Sequence, residues 1–350
     1  MSIIGSRKFV WSIVLGFVLS VCLACQVGNP NQATSVVDVA QNLYLPAHQD
    51  FRIAVISDLN SQYGSTEYEP EVKQAIALMP QWQPDLVLSG GDAIAGQKKS
   101  LTKSQIEAMW QAFDLYIAQP LRQQNIPFAF TIGNHDGSGA IKNNSLVFPL
   151  ERELAQKYWQ EQESQLGLNF IEKGNFPFYY TFQQDEIFFL VWDASTHLIS
   201  DEQLAWVKQA LNSDRAQQAK LRIAIGHLPL YPVAKAKNKP GEYLARGEEL
   251  RSLLEQNQVE VYISGHHHVY YPGKKGKLEL LHAGALGQGA RQLIDSELPP
   301  FPTVTIVDFK LDASEFTYTT YNAKTWEIIA IEQLPSKITG DFGTILRRDL

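Results

Sequence analysis

Five short segments carry side chains able to bind metal or move a proton: Ser57-Asp58-Leu59-Asn60, Gly90-Gly91-Asp92, Ile132-Gly133-Asn134-His135-Asp136, Gly226-His227 and Gly265-His266-His267-His268. Each follows a short apolar run of the kind that forms a buried strand. Ligands delivered from the ends of successive strands are what an α/β metal site requires. Carboxylate and carbonyl oxygens suit hard divalent or trivalent cations, and imidazole suits zinc, iron and manganese. Two carboxylates, one or two amides and three histidines suffice for two metals that share a ligand. Such a pair, about 3.5 to 4 Å apart, clamps the attacking and leaving oxygens of an in-line displacement at phosphorus. A hydroxide bridging the pair is nucleophilic at neutral pH, so no Ser or Cys nucleophile is required. No Gly-x-Ser-x-Gly elbow competes with this reading.

The elements that must position these residues are legible as alternating strands and helices. Phe51 to Ile56 reads as a strand, and Glu69 to Trp82 has Val72, Ala75, Ile76 and Met79 at helical spacing. Leu86 to Ser89 is the next strand, and a helix from Thr102 to Gln123 opens on the capping-box-like Thr102-Lys103-Ser104-Gln105. It leads to the strand Pro127 to Thr131. Two such crossovers imply parallel strands, which makes Asp58, Asp92 and Asn134 neighbours at one sheet edge. After a helix over Phe148 to Gln165, the strands Phe178–Phe182 and Glu186–Trp192 begin a second sheet. Ser200 is a candidate N-cap with Gln203 at the capping-box position. Leu221 to Ile225 and Glu260 to Ile263 deliver the histidine segments, with a helix over Tyr243 to Gln256 between them. Leu278–His282, Thr303–Phe309 and Phe316–Tyr321 are expected to close the second sheet.

In this order the five segments closely resemble the motifs of the calcineurin-like metallophosphoesterases, the superfamily that includes purple acid phosphatases and cyclic-nucleotide phosphodiesterases. The likeness runs from about Phe51 to His282. It implies an α/β fold: a two-sheet β-sandwich flanked by helices. It also implies ligand roles at matched positions. Asp58 and His268 bind the first metal, Asp92 bridges both ions, and Asn134, His227 and His266 bind the second. By the resemblance His135 stands by the leaving group or a phosphate oxygen, stabilising developing charge or donating a proton, with Asp136 orienting it. The family's first motif reads Asp-x-His, whereas this chain has Asp58-Leu59-Asn60. Asn60 either ligates through its carbonyl oxygen, favouring manganese or iron, or makes only an outer hydrogen bond. Tyr63 reads as a packing residue, with compensation for Asn60 as a metal ligand the alternative. His267 should point away from its neighbours. His197 and His282 read as structural residues or pocket walls, and Arg291 as either a surface cation or a phosphate contact.

The formal net charge of −7 and pI near 5.7 argue against an electrostatic nucleic-acid binder and favour small or soluble substrates, which the resemblance narrows to small phosphoesters. Both cysteines, Cys22 and Cys25, precede the domain, so metal must be held by oxygen and imidazole. Residues 1–25 read as a signal peptide ending in Cys22-Leu23-Ala24-Cys25, which resembles a lipoprotein cleavage site with Cys25 as the lipid-bearing residue. Residues 26–50 read as a flexible tether, 51–335 as the catalytic domain and 336–350 as a tail. The expectation is an exported, envelope-located and lipid-anchored phosphoesterase for monoesters or diesters, with two Mn, Fe or Zn ions. Its alternatives are a non-catalytic or single-metal binding protein on the same scaffold, motivated by Asn60, and a nucleotide pyrophosphohydrolase.

Overall fold

Three parallel strands, Phe51–Ile56, Leu86–Ser89 and Phe128–Phe130, lie side by side in that order. Every residue in them is buried, which accounts for their continuous apolar runs. The structure is a computed structural model that describes residues 30–350, with side chains from residue 36 onward. The apolar segment and its Cys22 and Cys25 lie outside those residues. No described helix is long and apolar enough to cross a membrane.

Helices Pro70–Trp82 and Lys103–Phe113 form the crossovers. The second starts at a full capping box: Thr102 accepts from the Gln105 backbone N–H, and the Gln105 side chain accepts from the Thr102 N–H at 2.9 Å. The helix expected to run on to Gln123 instead loosens into a π-turn at Asp114–Ala118 before Gln119–Gln123. Pro120 has no N–H for the regular ladder, and a wider turn accommodates it.

On the other edge of this sheet stand Thr303–Lys310 and Glu315–Asn322, both antiparallel. This corrects the expectation that they close the second sheet. A buried ion pair fixes the pairing, with Arg52 Nε donating to Asp308 Oδ1 at 2.8 Å. Strand periodicity carries no information on which edge a late strand joins, whereas this pair and the ladder around it link residues far apart in sequence.

The second sheet has nine strands among the described residues. At its centre Ile187–Val191, Leu221–Ile225, Val261–Ser264 and Leu278–His282 are parallel. Antiparallel strands flank them: Tyr179–Gln184 and Asn169–Asn175 at one end, Tyr271–Lys275 at the other. The sheets meet where the Tyr180 hydroxyl, on the second, donates to the Phe130 carbonyl on the first at 2.5 Å.

Both ends of the described region differ from expectation. In the stretch read as a tether, Pro30–Asn42 is helical, with Val36, Val39 and Ala40 packed on the core. That is helical spacing too short to stand out in a polar segment. Tyr44 and Pro46 are then fastened down, their carbonyls accepting from Tyr321 Oη at 2.6 Å and Arg52 Nη2 at 2.8 Å. In the stretch read as a tail, Lys337–Gly340 and Gly343–Arg347 pair, and the second strand also pairs with Tyr271–Lys275. Ile338 and Ile345 are fully buried there.

The remaining helices are close to expectation. Pro149–Gln162 matches its expected span, and the helix expected from Tyr243 begins at Gly247 and ends at Gln256. Ser200 caps Asp201–Leu211 by accepting from the Gln203 N–H at 3.2 Å. The Gln203 side chain does not close the box; its oxygen accepts from the Asp193 N–H at 2.5 Å.

Candidate metal centre

All five segments converge at the carboxyl ends of parallel strands from both sheets. The chain must turn sharply there to aim side chains inward, and Asp58, Asp92, His266 and His268 have φ of 50°, 56°, 64° and 55°. Left-handed backbone at four non-glycine residues is strain of the kind that collects at functional sites. Two glycines make the close approach possible. Gly91 has φ 97° and lies so near His227 that a Cβ would fall 2.7 Å from Nδ1. A Cβ on Gly265 would stand 2.7 Å from Asp58 Oδ2.

Two donor clusters result, Asp92 with His227 and His266, and Asp58 with Asp92 and His268, each with its ligand atoms within 4.8 Å of one another. Asp92 belongs to both. Asn134 joins the first: its Oδ1 lies 3.0 Å from His227 Nε2 and 2.8 Å from His266 Nδ1. The outer nitrogen of each imidazole meets an acceptor: Gly90 O for His227 at 2.8 Å, Gly289 O for His268 at 3.0 Å, and Glu242 Oε2 for His266 at 3.0 Å. An outer N–H on such an acceptor leaves the inner nitrogen with a bare lone pair, which is the form that ligates. Asn134 is held likewise, its Nδ2 donating to Gln97 Oε1 at 2.9 Å and turning its carbonyl inward. This donor set fits metal ions.

The electrostatics agree. Burial would raise the Asp92 carboxyl, yet His227 and His135 hold it well below the usual carboxylate range. Asp58 is lowered against the same opposition, chiefly by His268. Burial would lower His227, but Asp92 and Asp58 push it up to about 9. The pocket thus demands positive charge, which a bound cation supplies in place of that proton.

His135 Nε2 lies 3.9 Å from Asp92 Oδ2, and its Nδ1 is 3.2 Å from Gly96 O. Asp136 does not orient it, which corrects the expected role. The Asp136 oxygens instead accept from the backbone N–H groups of Ile94 at 3.0 Å and Gly133 at 2.9 Å. Burial and the charge of Asp92 push its carboxyl up to about 7. It ties two motif loops together because its side chain points back under the turn. A cavity of about 370 Å³ opens over His135, Asn134 and His266, walled by Tyr63, His197 and Arg291 among others. The Tyr63 ring stands 5.1 Å from that of His135. Among the described residues no carboxylate pairs with Arg291, and its buried Nε has no acceptor.

Residues 51–270 match the calcineurin-like phosphoesterase family. The chain belongs to that family. Membership places it among hydrolases that act on phosphoric esters, and implies divalent metal ions that the two donor clusters could hold. No curated protein matches the chain. Among solved structures, a purple acid phosphatase from yellow lupin (Lupinus luteus) aligns with TM-score 0.58 at 16% identity, covering 82% of this chain and 54% of that one. The likeness is one of fold, and the chain spans about half the length of the lupin enzyme. A dimetal phosphatase from Danio rerio aligns with TM-score 0.48 at 14% identity, covering 74% of this chain and 92% of that one.

For a calcineurin-like phosphoesterase the first motif is unusual, and the structure shows where the substituted residue sits. Asn60 is buried; its N–H donates to Asp92 O at 3.2 Å and its carbonyl accepts from the Gln288 N–H at 3.1 Å. Its side chain makes no hydrogen bond to another ligand candidate. His267 faces away as expected and His282 is structural, its Nδ1 3.1 Å from Tyr271 O. Gln97, Glu242 and Lys237 were invisible to motif reading. Gln97 lies five residues past Asp92 in a loop, and Glu242 follows Lys235, Lys237 and Lys239, a pattern that reads as solvated charge.

Proposed function

We propose that the chain hydrolyses small phosphomonoesters or phosphodiesters with two divalent or trivalent ions, Mn, Fe or Zn, one in each donor cluster. The observation that carries this is the position of Asp92 in both clusters. Bound there, the ions supply a Lewis acid for the phosphoryl oxygens and an activated water as the attacking group. The chain's own residues do the rest. Asp58, Asp92, Asn134, His227, His266 and His268 hold the charge in place. His135, steadied at Nδ1 by Gly96 O, lines the cavity, and its Nε2, in the protonated form, would donate to the leaving oxygen. Arg291, with no carboxylate partner among the described residues, is placed to bind a phosphate oxygen.

The test is hydrolysis of p-nitrophenyl phosphate and bis-p-nitrophenyl phosphate by metal-stripped protein, titrated with manganese, iron, zinc and magnesium. Restored turnover is the expected result, and the preference between the esters assigns monoester or diester. Folded protein inactive with every metal would overturn the proposal and favour a binding protein on this scaffold, with Asn60 as the cause. We also propose that the chain works in the cell envelope, anchored by lipid at Cys25. Radiolabelled palmitate should label the wild type and not Cys25→Ala.

A further inference from the structure

His227 and His268 rest their outer nitrogens on main-chain carbonyls, which only accept, so one tautomer is imposed on each. His266 is different. Its Nε2 lies 3.0 Å from Glu242 Oε2 and 3.0 Å from Lys237 Nζ, and those two side chains pair at 2.9 Å. A carboxylate accepts and an ammonium donates, so the two neighbours favour opposite tautomers. With Glu242 as partner, Nε2 carries the proton and Nδ1 is a bare lone pair facing the centre. With Lys237 as partner, Nε2 is bare, and an Nδ1–H donates to Asn134 Oδ1 across the 2.8 Å contact. Only the first form ligates through Nδ1.

We infer that Glu242 and Lys237 are an opposed pair of positioning residues that sets the tautomer of His266, Glu242 favouring metal uptake by the Asn134–His227–His266 cluster and Lys237 favouring the metal-free state. The inference rests on the reading of His266 as a ligand. Other charges facing the pair are Lys239, 3.8 Å from Glu242 Oε1, and Arg291 in the shared cavity.

The loop bearing the pair is held independently of either side chain. His267, the middle imidazole of the same motif, accepts at Nδ1 from the N–H groups of Val233 at 3.1 Å and Ala234 at 3.3 Å. Its Nε2–H donates to the Glu242 carbonyl at 2.9 Å. One motif therefore carries two ligand candidates and, between them, the residue that fastens the loop acting on one of the two. The Glu242 contact to His267 is through the main chain, so Glu242→Ala keeps it.

The test combines chelator competition on full-length protein reloaded with zinc or manganese and 15N NMR of the histidine rings in the metal-free protein. Glu242→Ala should weaken one of the two ions by about 10–100-fold, the scale of losing an outer partner of a ligand, leave the other unchanged, and move His266 toward the Nδ1–H tautomer. Lys237→Met should hold that ion as tightly as wild type or more so, with His266 moved toward Nε2–H. Equal weakening by both variants, or two ions held normally by Glu242→Ala, overturns the inference and leaves the metal-centre reading standing. Wild-type protein that takes up no ion at any loading overturns both.

Discussion

The two halves of the candidate centre are held by different means. Around Asp58 and His268 the supports are main chain and motif residues: the His266 N–H donates to the Asp58 oxygens at 3.2 and 3.1 Å, Ser57 Oγ to Oδ2 at 2.6 Å, and Gly289 O faces His268. Around Asn134 and His266 the supports are loop side chains, Gln97 and Glu242. The first half is thus built into the strand-end turns, but Asn60 stands where the family has an imidazole. The second has its full donor set, and His227 in it rests on Gly90 O, but Asn134 and His266 depend on side chains a single substitution removes. Rigid support and ligand strength are distributed in opposite directions.

The most severe way to break the comparison is to remove what both halves share. On the proposed function, Asp92→Ala should lose both ions and turnover, on the order of 10³-fold or more in rate, since a two-metal clamp would act on both attacking and leaving oxygens. Metal analysis beside thermal melts of the metal-free protein checks that the fold survives; a variant retaining wild-type rate would sink the mechanism. A smaller effect, in the opposite direction, sharpens the comparison. Asn60→His restores an imidazole beside Asp58 and should tighten the ion of that half by roughly 10-fold or more without touching the other. If chelator competition shows no gain, position 60 lies outside the ligand sphere. The mildest change is Gln97→Ala, which frees the Asn134 amide to flip. Affinity in the second half alone should fall by about 10-fold, the low end for an outer-partner loss, while equal weakening of both halves would refute the division.

How much of this was readable beforehand follows from the range of each interaction. The three-strand core and its two crossovers were legible because their patterns are local: Val72, Ala75, Ile76 and Met79 mark a helix, and Phe51 to Ile56 a buried strand. Asp58, Asp92, Asn134, His227, His266 and His268 were legible through their motifs. The late strands Thr303–Lys310 and Glu315–Asn322 join the first sheet rather than the second, and the contacts that place them there, the antiparallel ladder with Phe51–Ile56 and the Arg52–Asp308 pair, link residues far apart in sequence. The helix in the presumed tether and the hairpin in the presumed tail were missed for a related reason. Each is short and mostly polar, and is stabilised by packing onto a surface assembled from the rest of the chain.

The family, the donor types and the order in which strands deliver them were readable from residues alone, since they follow from local apolar patterns and residue chemistry. The sequence also carried the replacement at Asn60. The folded arrangement was needed to see that Asp136 ties loops rather than orienting His135, and that Gln97, Glu242 and Lys237 stand behind the ligand candidates. A hydrogen bond depends on atoms meeting at about 3 Å, and for groups such as Lys237 and His266, 29 residues apart, the whole fold sets that distance.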